Sequence, residues 1–270
     1  MPLKEYWWMQ CFNQLFPDGY YCFIVLDGTL WLDKLVTSGM IESLKTKFKN
    51  AKFVCFFSDF ASIPHLGDYL DYIKNVFNLV LVYDKKQAIK YNITYYPLFY
   101  SVSKKIRIEK TPEFDVHFSG TAKNRYQKIL SLFSYLKDNN LKCDFHIVGV
   151  PFENQRFKGD INYRPSVPYA ACIGSLMNSK AIAEIVQDSS TGRTFRFAEA
   201  IAYNKLLITN NTTLVSDPLF YPQNMFAYVS PEDIDTNLVK NSEPPYPYPQ
   251  EAKKQLSPLH LLEFLDSYWK

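Results

Sequence analysis

At 270 residues the chain is long enough for about two domains, each able to bury a core of its own. With 47% hydrophobic and 21% charged residues it is not a disordered chain. Thirty Lys+Arg against 27 Asp+Glu leave a net charge of +3, too small an excess for a nucleic-acid-binding face, although a local phosphate site stays open.

Residues 1–19 (MPLKEYWWMQCFNQLFPDG) read as helical and lack the apolar core of a secretory signal. Apolar runs then predict strands at 21–26, 53–57, 79–83 and 95–100, with amphipathic helices at 30–48 and 63–77 between them. A polar, basic stretch at 101–112 (SVSKKIRIEKTP) marks the best internal boundary. Beyond it, strands are predicted at 116–119, 145–148, 183–186, 206–209 and 227–229, and helices at 122–139, 169–179 and 194–203. Most of these runs are continuous rather than alternating, the pattern of strands covered on both faces, and strand–helix alternation implies parallel sheets. Residues 243–249 (EPPYPYP) form an extended proline-rich connector, followed by a last helix with Ser257 as N-cap and Pro258 in its first turn. The expected organisation is therefore a domain at 1–108, a second at 109–242, and a connector with a helix at 243–270 packing back toward the first domain.

Cys11, Cys22, Cys55, Cys143 and Cys172 are scattered without a C-x-x-C pair and read as small buried hydrophobes in a reducing compartment. No apolar run approaches the ~18 residues that span a bilayer. A soluble, cytoplasmic protein is expected.

Several chemistries fail on their residues. Ile24-Val-Leu-Asp-Gly-Thr-Leu30 is similar to the D-x-D-G-T-L opening of haloacid dehalogenase-type phosphatases, but the nucleophile's position holds Val25, which cannot form an aspartyl-phosphate. His65, His117, His146 and His260 are far apart in sequence and no paired Cys/His spacing exists, so no metal site is expected. P-loop, G-x-G-x-x-G and G-x-S-x-G motifs are missing, which removes the usual nucleotide, dinucleotide and hydrolase signatures.

Two segments of the second domain do suggest chemistry. In Asp115-Val-His-Phe-Ser-Gly120-Thr-Ala-Lys123-Asn-Arg125, a strand ends at a glycine and a helix begins with two cations in its first turn. The dipole disfavours cations there, so a bound anion would explain them, as would plain solvation. In Thr191-Gly-Arg193-Thr194-Phe-Arg196-Phe-Ala-Glu199, a second strand end leads into a helix opened by Arg193 and Arg196, with Glu199 three residues on. Guanidinium forks suit a diphosphate and a carboxylate suits ribose hydroxyls. The bland alternative is an Arg196–Glu199 salt bridge on a solvated helix face.

The order of these segments resembles the donor-binding half of GT-B fold glycosyltransferases, in particular bacterial enzymes of capsule and lipopolysaccharide biosynthesis. The motifs that carry it are Ser119-Gly120-x-x-Lys123-x-Arg125, Asp144-Phe-His-Ile-Val-Gly149, and Gly192-Arg-Thr-Phe-Arg196-x-x-Glu199-Ala-x-Ala running to Lys205-Leu-Leu-Ile-Thr209, across residues 113–230. The resemblance implies an α/β fold of two Rossmann-like domains with parallel sheets, the N-terminal one abbreviated. It implies a metal-independent transferase without a cofactor, moving sugar from a nucleotide-sugar to a glycan or lipid-linked acceptor. Gly120, Lys123, Arg125, Arg193, Thr194 and Arg196 would hold the donor diphosphate, Glu199 the ribose, and Tyr163 and Arg164 would flank the base. Asp59 and Asp27, after first-domain strands, fit a catalytic base by position, with Asp84 a third choice, and each could equally cap a turn. The alternative is a non-catalytic nucleotide- or partner-binding protein of the same fold. The aromatic Tyr6, Trp7 and Trp8 leave peripheral contact with the inner face of a membrane, or with a partner protein, open.

Overall fold

The computed structural model describes residues 12, 15–26, 38–58, 66–102, 111–187 and 191–270. Asp27, Asp59 and the expected domain boundary at residue 108 lie outside the described residues. Two compact units comprise Met1–Pro97 and Leu98–Lys270.

In the first unit, β1 (Cys22–Leu26), α1 (Ser38–Lys47), β2 (Lys52–Phe57), α2 (Leu66–Val76), β3 (Leu79–Val82), α3 (Lys85–Tyr91) and β4 (Thr94–Tyr95) alternate along the chain. The strands are parallel and lie in the order β1-β2-β3-β4. Val54, Cys55, Phe56 and Phe57 are fully covered, which is why this run shows no polar alternation. The strand expected at 95–100 stops at Tyr95, because Pro97 has no N–H to give a ladder. Helix α3 carries no sequence stripe; it is fixed by its ends. Asp84 accepts the Gln87 N–H at 3.0 Å, and Asn92 closes the other end with a left-handed φ of 49°. Asp84, the third candidate base, is thus a helix cap.

The second unit runs β5 (Phe114–Thr121), a 3-10 turn (Lys123–Arg125), α4 (Tyr126–Asp138), β6 (Cys143–Val148), β7 (Ile161–Tyr163), α5 (Tyr169–Met177), β8 (Ser179–Glu184), α6 (Phe195–Tyr203), β9 (Leu206–Thr209), β10 (Met225–Ala227), α7 (Thr236–Asn241), α8 (Gln250–Leu256) and α9 (Pro258–Tyr268). Its six parallel strands lie in the order β10-β9-β8-β5-β6-β7. Alternate residues serve two cores. Val116, Phe118, Phe145 and Ala183 meet α4 residues Ile129 and Phe133 on one face, while Ile182 and Leu207 meet α5 and α6 through Ile173, Phe197 and Ile201 on the other. Burying six such side chains contributes roughly 10 kcal/mol or more before chain entropy is counted. Tyr246 and Tyr248 of the proline-rich connector are buried, and Tyr248 Oη donates to Lys205 O at 2.9 Å, tying the connector to this unit. Ser257 caps α9 through the Leu259 N–H with Pro258 in the first turn.

Candidate functional site

β5 is the first strand of its sheet, yet it lies between β8 and β6. The chain therefore departs in opposite directions on its two sides. The carboxyl ends of β5 and β8 form a topological switch point, where open α/β sheets collect ligands. The loops leaving those ends are the two segments singled out above.

Two arginines cross this point in opposite senses. Arg125, after β5, donates through Nη1 to Ile185 O beyond the end of β8, and through Nε and Nη2 to Thr121 O at 3.3 Å. Arg196, in the first turn of α6, donates through Nη2 to Ser119 O on β5 at 2.9 Å and through Nη1 to Glu199 Oε2. Among the described residues no carboxylate pairs with Arg125. Burial first, and the Arg196 charge next, push the Arg125 guanidinium below its usual pKa. Burial would lower Arg196 too, but Glu199 outweighs it and holds Arg196 above its usual value. The result is two cations at strand ends and helix starts with only one of them neutralised. An anion between them would relieve both the repulsion and the dipole mismatch.

Gly120 supplies the close approach. A Cβ there would lie 3.1 Å from Arg125 Nη2 and 3.3 Å from the rim of Phe118, over whose ring the Arg125 guanidinium sits at 5.9 Å. Lys123 has a left-handed φ of 44°, a conformation costing about 1 kcal/mol for a residue with a side chain. It lines a 490 Å³ cavity with Tyr126, Asn154 and Arg156. Tyr163 and Arg164 line a neighbouring 440 Å³ cavity, and both cavities share Gly149, Val150 and Pro151 at the end of β6. Tyr163 Oη donates to Arg156 O at 2.6 Å and lies 2.9 Å from Tyr126 Oη, so its hydroxyl belongs to the wall; Arg164 Nη2 is buried without a hydrogen-bond partner. Thr194 is the N-cap of α6, accepting the Arg196 N–H at 3.1 Å and donating to Glu184. Glu184, bound also by Thr209, is fully buried, and burial raises its carboxyl pKa.

Three readings of the sequence change here. Arg193, expected on the diphosphate, is buried and gives both arms of its fork to Asp217, at 2.8 and 2.7 Å. Its bidentate demand is met inside the protein. Glu199, expected to hold ribose, is 0% exposed: Oε1 accepts from Tyr169 Oη and Oε2 from Arg196, so it fixes the guanidinium instead of facing solvent. The salt bridge that was the bland alternative exists, but it is buried. Finally, His117 and His146, distant in sequence, meet. The β5–β6 register sets Asp144 opposite His117, and the two imidazole rings lie 5.7 Å apart with Asp144 in contact with both. Burial holds His117 below its usual pKa. Burial would raise Asp144, yet its histidine neighbours keep it well below the usual carboxylate range.

A hydroxyl chain extends the Glu199 cluster. Tyr169 and Tyr100 hydroxyls lie 2.8 Å apart, and Tyr100 lies 3.1 Å from Tyr203. Sequence reasoning missed it. Tyr100 and Tyr169 lie 69 positions apart, and nothing in the spacing links them.

No family model matches the chain, and no curated protein does. Among solved structures, the crystal structure of TarM is similar with a TM-score of 0.53 and 14% identity, over 91% of this chain and 54% of its own. The chain therefore spans about half the length of that structure. A glycosylation-associated protein complex, Gap123, from Streptococcus agalactiae gives 0.45 at 13% identity, covering 98% of this chain and 55% of its own. The glycotransferase of kitacinnamycin gives 0.44 at 9% identity, covering 97% and 79%. The likeness to TarM, with the two parallel sheets, shows the fold class: α/β, two Rossmann-like units of the GT-B kind.

Proposed function

We propose that the chain is a glycosyltransferase that takes a nucleotide-sugar donor at the β5/β8 switch point. The observation that carries this is Arg125: a half-buried cation with backbone carbonyls as partners, placed beside a second guanidinium. That arrangement suits a diphosphate held between them, with Lys123 beside it and Gly120 letting the phosphate come close. Arg193 and Glu199 are positioning residues in this reading, and the cavity at Tyr163 and Arg164 has the volume for a nucleobase.

In the transfer, the acceptor oxygen bonds to the anomeric carbon as the bond from that carbon to the terminal phosphate oxygen breaks, and the electron pair of the broken bond stays on the phosphate oxygen. The developing charge falls between guanidiniums already held in place, so little reorganisation is needed as it forms. Their charge lets the leaving group depart without a metal. The acceptor hydroxyl gives its proton to a carboxylate, and Asp27 and Asp59, which follow β1 and β2 in sequence, are the proposed bases. The proposed acceptor is a glycan or a lipid-linked glycan of surface polysaccharide synthesis, met on the cytoplasmic side. Among the described residues no helix is long and apolar enough to cross a membrane.

Thermal-shift screening with UDP, GDP, CMP and their sugars, followed by calorimetry, tests the reading. One nucleotide should raise the melting temperature, and Arg125→Gln should weaken its binding about 10- to 100-fold, the worth of a charge-assisted contact. Unchanged affinity in both Arg125→Gln and Arg196→Ala would sink the assignment. Donor turnover with acceptor present separates a transferase from a protein that only binds.

A further inference from the structure

His117, Asp144 and His146 lie on the α5-facing side of the sheet, behind the switch point. Strands β5 and β6 pair in parallel with His117 opposite Asp144 and Ser119 opposite His146, so all three side chains project from one face. Asp144 Oδ2 is 2.9 Å from His117 Nδ1, and Oδ1 is 2.7 Å from His146 Nε2. One donor atom from each residue lies within 4.8 Å of the other two. His117 is 0% and His146 7% exposed.

The two imidazole contacts differ. His117 Nδ1 makes a hydrogen bond to the carboxylate. His146 Nε2 is closer but poorly aligned with the carboxylate, so Asp144 gives it only a bent contact, and Nδ1 of this buried ring has no hydrogen-bond partner. A structural core histidine normally satisfies at least one nitrogen. A nitrogen and an oxygen that lie close without being aimed at each other have the disposition of two ligands facing a common third atom.

We propose that His117 Nδ1, His146 Nε2 and the Asp144 carboxylate bind a divalent transition-metal cation, zinc by preference. Two imidazoles and one carboxylate are donors zinc accepts, whereas calcium and magnesium take oxygen ligands. Metal–ligand bonds of about 2.1 Å in a tetrahedron separate ligand atoms by about 3.4 Å, so the 2.9 Å contact needs to open by about 0.5 Å and the 2.7 Å contact by about 0.7 Å, with the two imidazole nitrogens already within 4.8 Å of each other. The ion would pin β5 to β6 beneath the loop that carries Arg125. It takes no part in sugar transfer, and its presence does not depend on which ligand the arginines hold.

The test uses the full chain, stripped with EDTA and titrated with zinc chloride against a chromophoric chelator, with metal content measured by mass spectrometry. About one zinc per chain with sub-micromolar affinity is expected, raising the melting temperature by about 5 °C at hundred-fold excess over Kd. Asp144→Asn and His146→Gln should each weaken zinc about 100-fold, while His260→Gln should leave it unchanged. If either site variant does not fold, cobalt added to the wild-type chain decides, because tetrahedral coordination gives a visible ligand-field band. Less than about a tenth of an equivalent of zinc at 100 µM, no cobalt band, or undiminished binding in Asp144→Asn would overturn the proposal.

Discussion

Replacing Tyr169 by Phe removes one of the two donors to the Glu199 carboxylate and leaves the ring in place. A hydrogen bond to a charged group contributes about 1.5–3 kcal/mol. Tyr169 is 51% exposed, so water can follow the lost hydroxyl, and the cost should sit near the lower bound, about 1.5 kcal/mol. Tyr203→Phe cuts the other end of the hydroxyl chain, a contact between neutral groups at 3.1 Å, and should cost about 0.5–1 kcal/mol. Hydrogen exchange read by mass spectrometry over residues 195–203 localises the loss to α6, where Tyr169→Phe should speed opening about tenfold. Burial first, then the Glu199 charge, hold the Tyr169 phenol far above its ordinary pKa, so the loss should be equal at pH 6.5 and pH 9. A Tyr169→Phe effect no larger than that of Tyr203→Phe would refute the view that Glu199 is a buried charge held by two donors.

Three further outcomes are expected. Arg193→Met leaves the mostly covered Asp217 carboxylate with the Leu219 N–H but no guanidinium, and should destabilise the second unit by about 3 kcal/mol in urea unfolding, with nucleotide affinity lost only where unfolding is populated. Burial lowers Lys205 from 10.5 to about 8; between those values the unfolded chain holds more protons, so stability should rise by about 1.5 kcal/mol from pH 8 to 9.5 in the wild type and stay flat in Lys205→Met. Gly120→Ala meets Arg125 Nη2, the far end of a long side chain, at 3.1 Å and should cost about 1 kcal/mol in melting experiments, and should weaken binding of the nucleotide found by the screen several-fold by displacing that guanidinium from its carbonyl partners.

The parallel α/β architecture was legible because its strands are covered on both faces and so stand out as unbroken apolar runs, as in Phe53–Phe57. Short elements were not. Ile161–Tyr163 is only three residues long, and α3, α7 and α8 are seven residues or fewer, held by caps and neighbours more than by any apolar stripe. The glycine loops and their cations were legible as types: Gly120, Lys123, Arg125, Thr194 and Arg196 all lie at the two strand ends. What spacing could not reveal was partnership. Asp217 lies 24 positions beyond Arg193, and Asp144 lies 27 beyond His117, so the groups that claim their hydrogen bonds come from other elements. Glu199 misled for a related reason. Its i+3 spacing from Arg196 showed that they share a side of the helix, but a side facing Ser119 and Tyr169 looks the same in sequence as one facing a ligand.

Ser119, Thr121 and Ile185 hold the two arginines through main-chain oxygens alone. The arginine contacts therefore place no demand on the side chains at these positions: exposed Thr121 is free to drift, and at Ile185, fully buried, only core packing limits the choice. Homologues could differ widely around this spot and still present the same pair of positive forks, which is one way a sheet of this kind can outlast the recognisability of its own sequence.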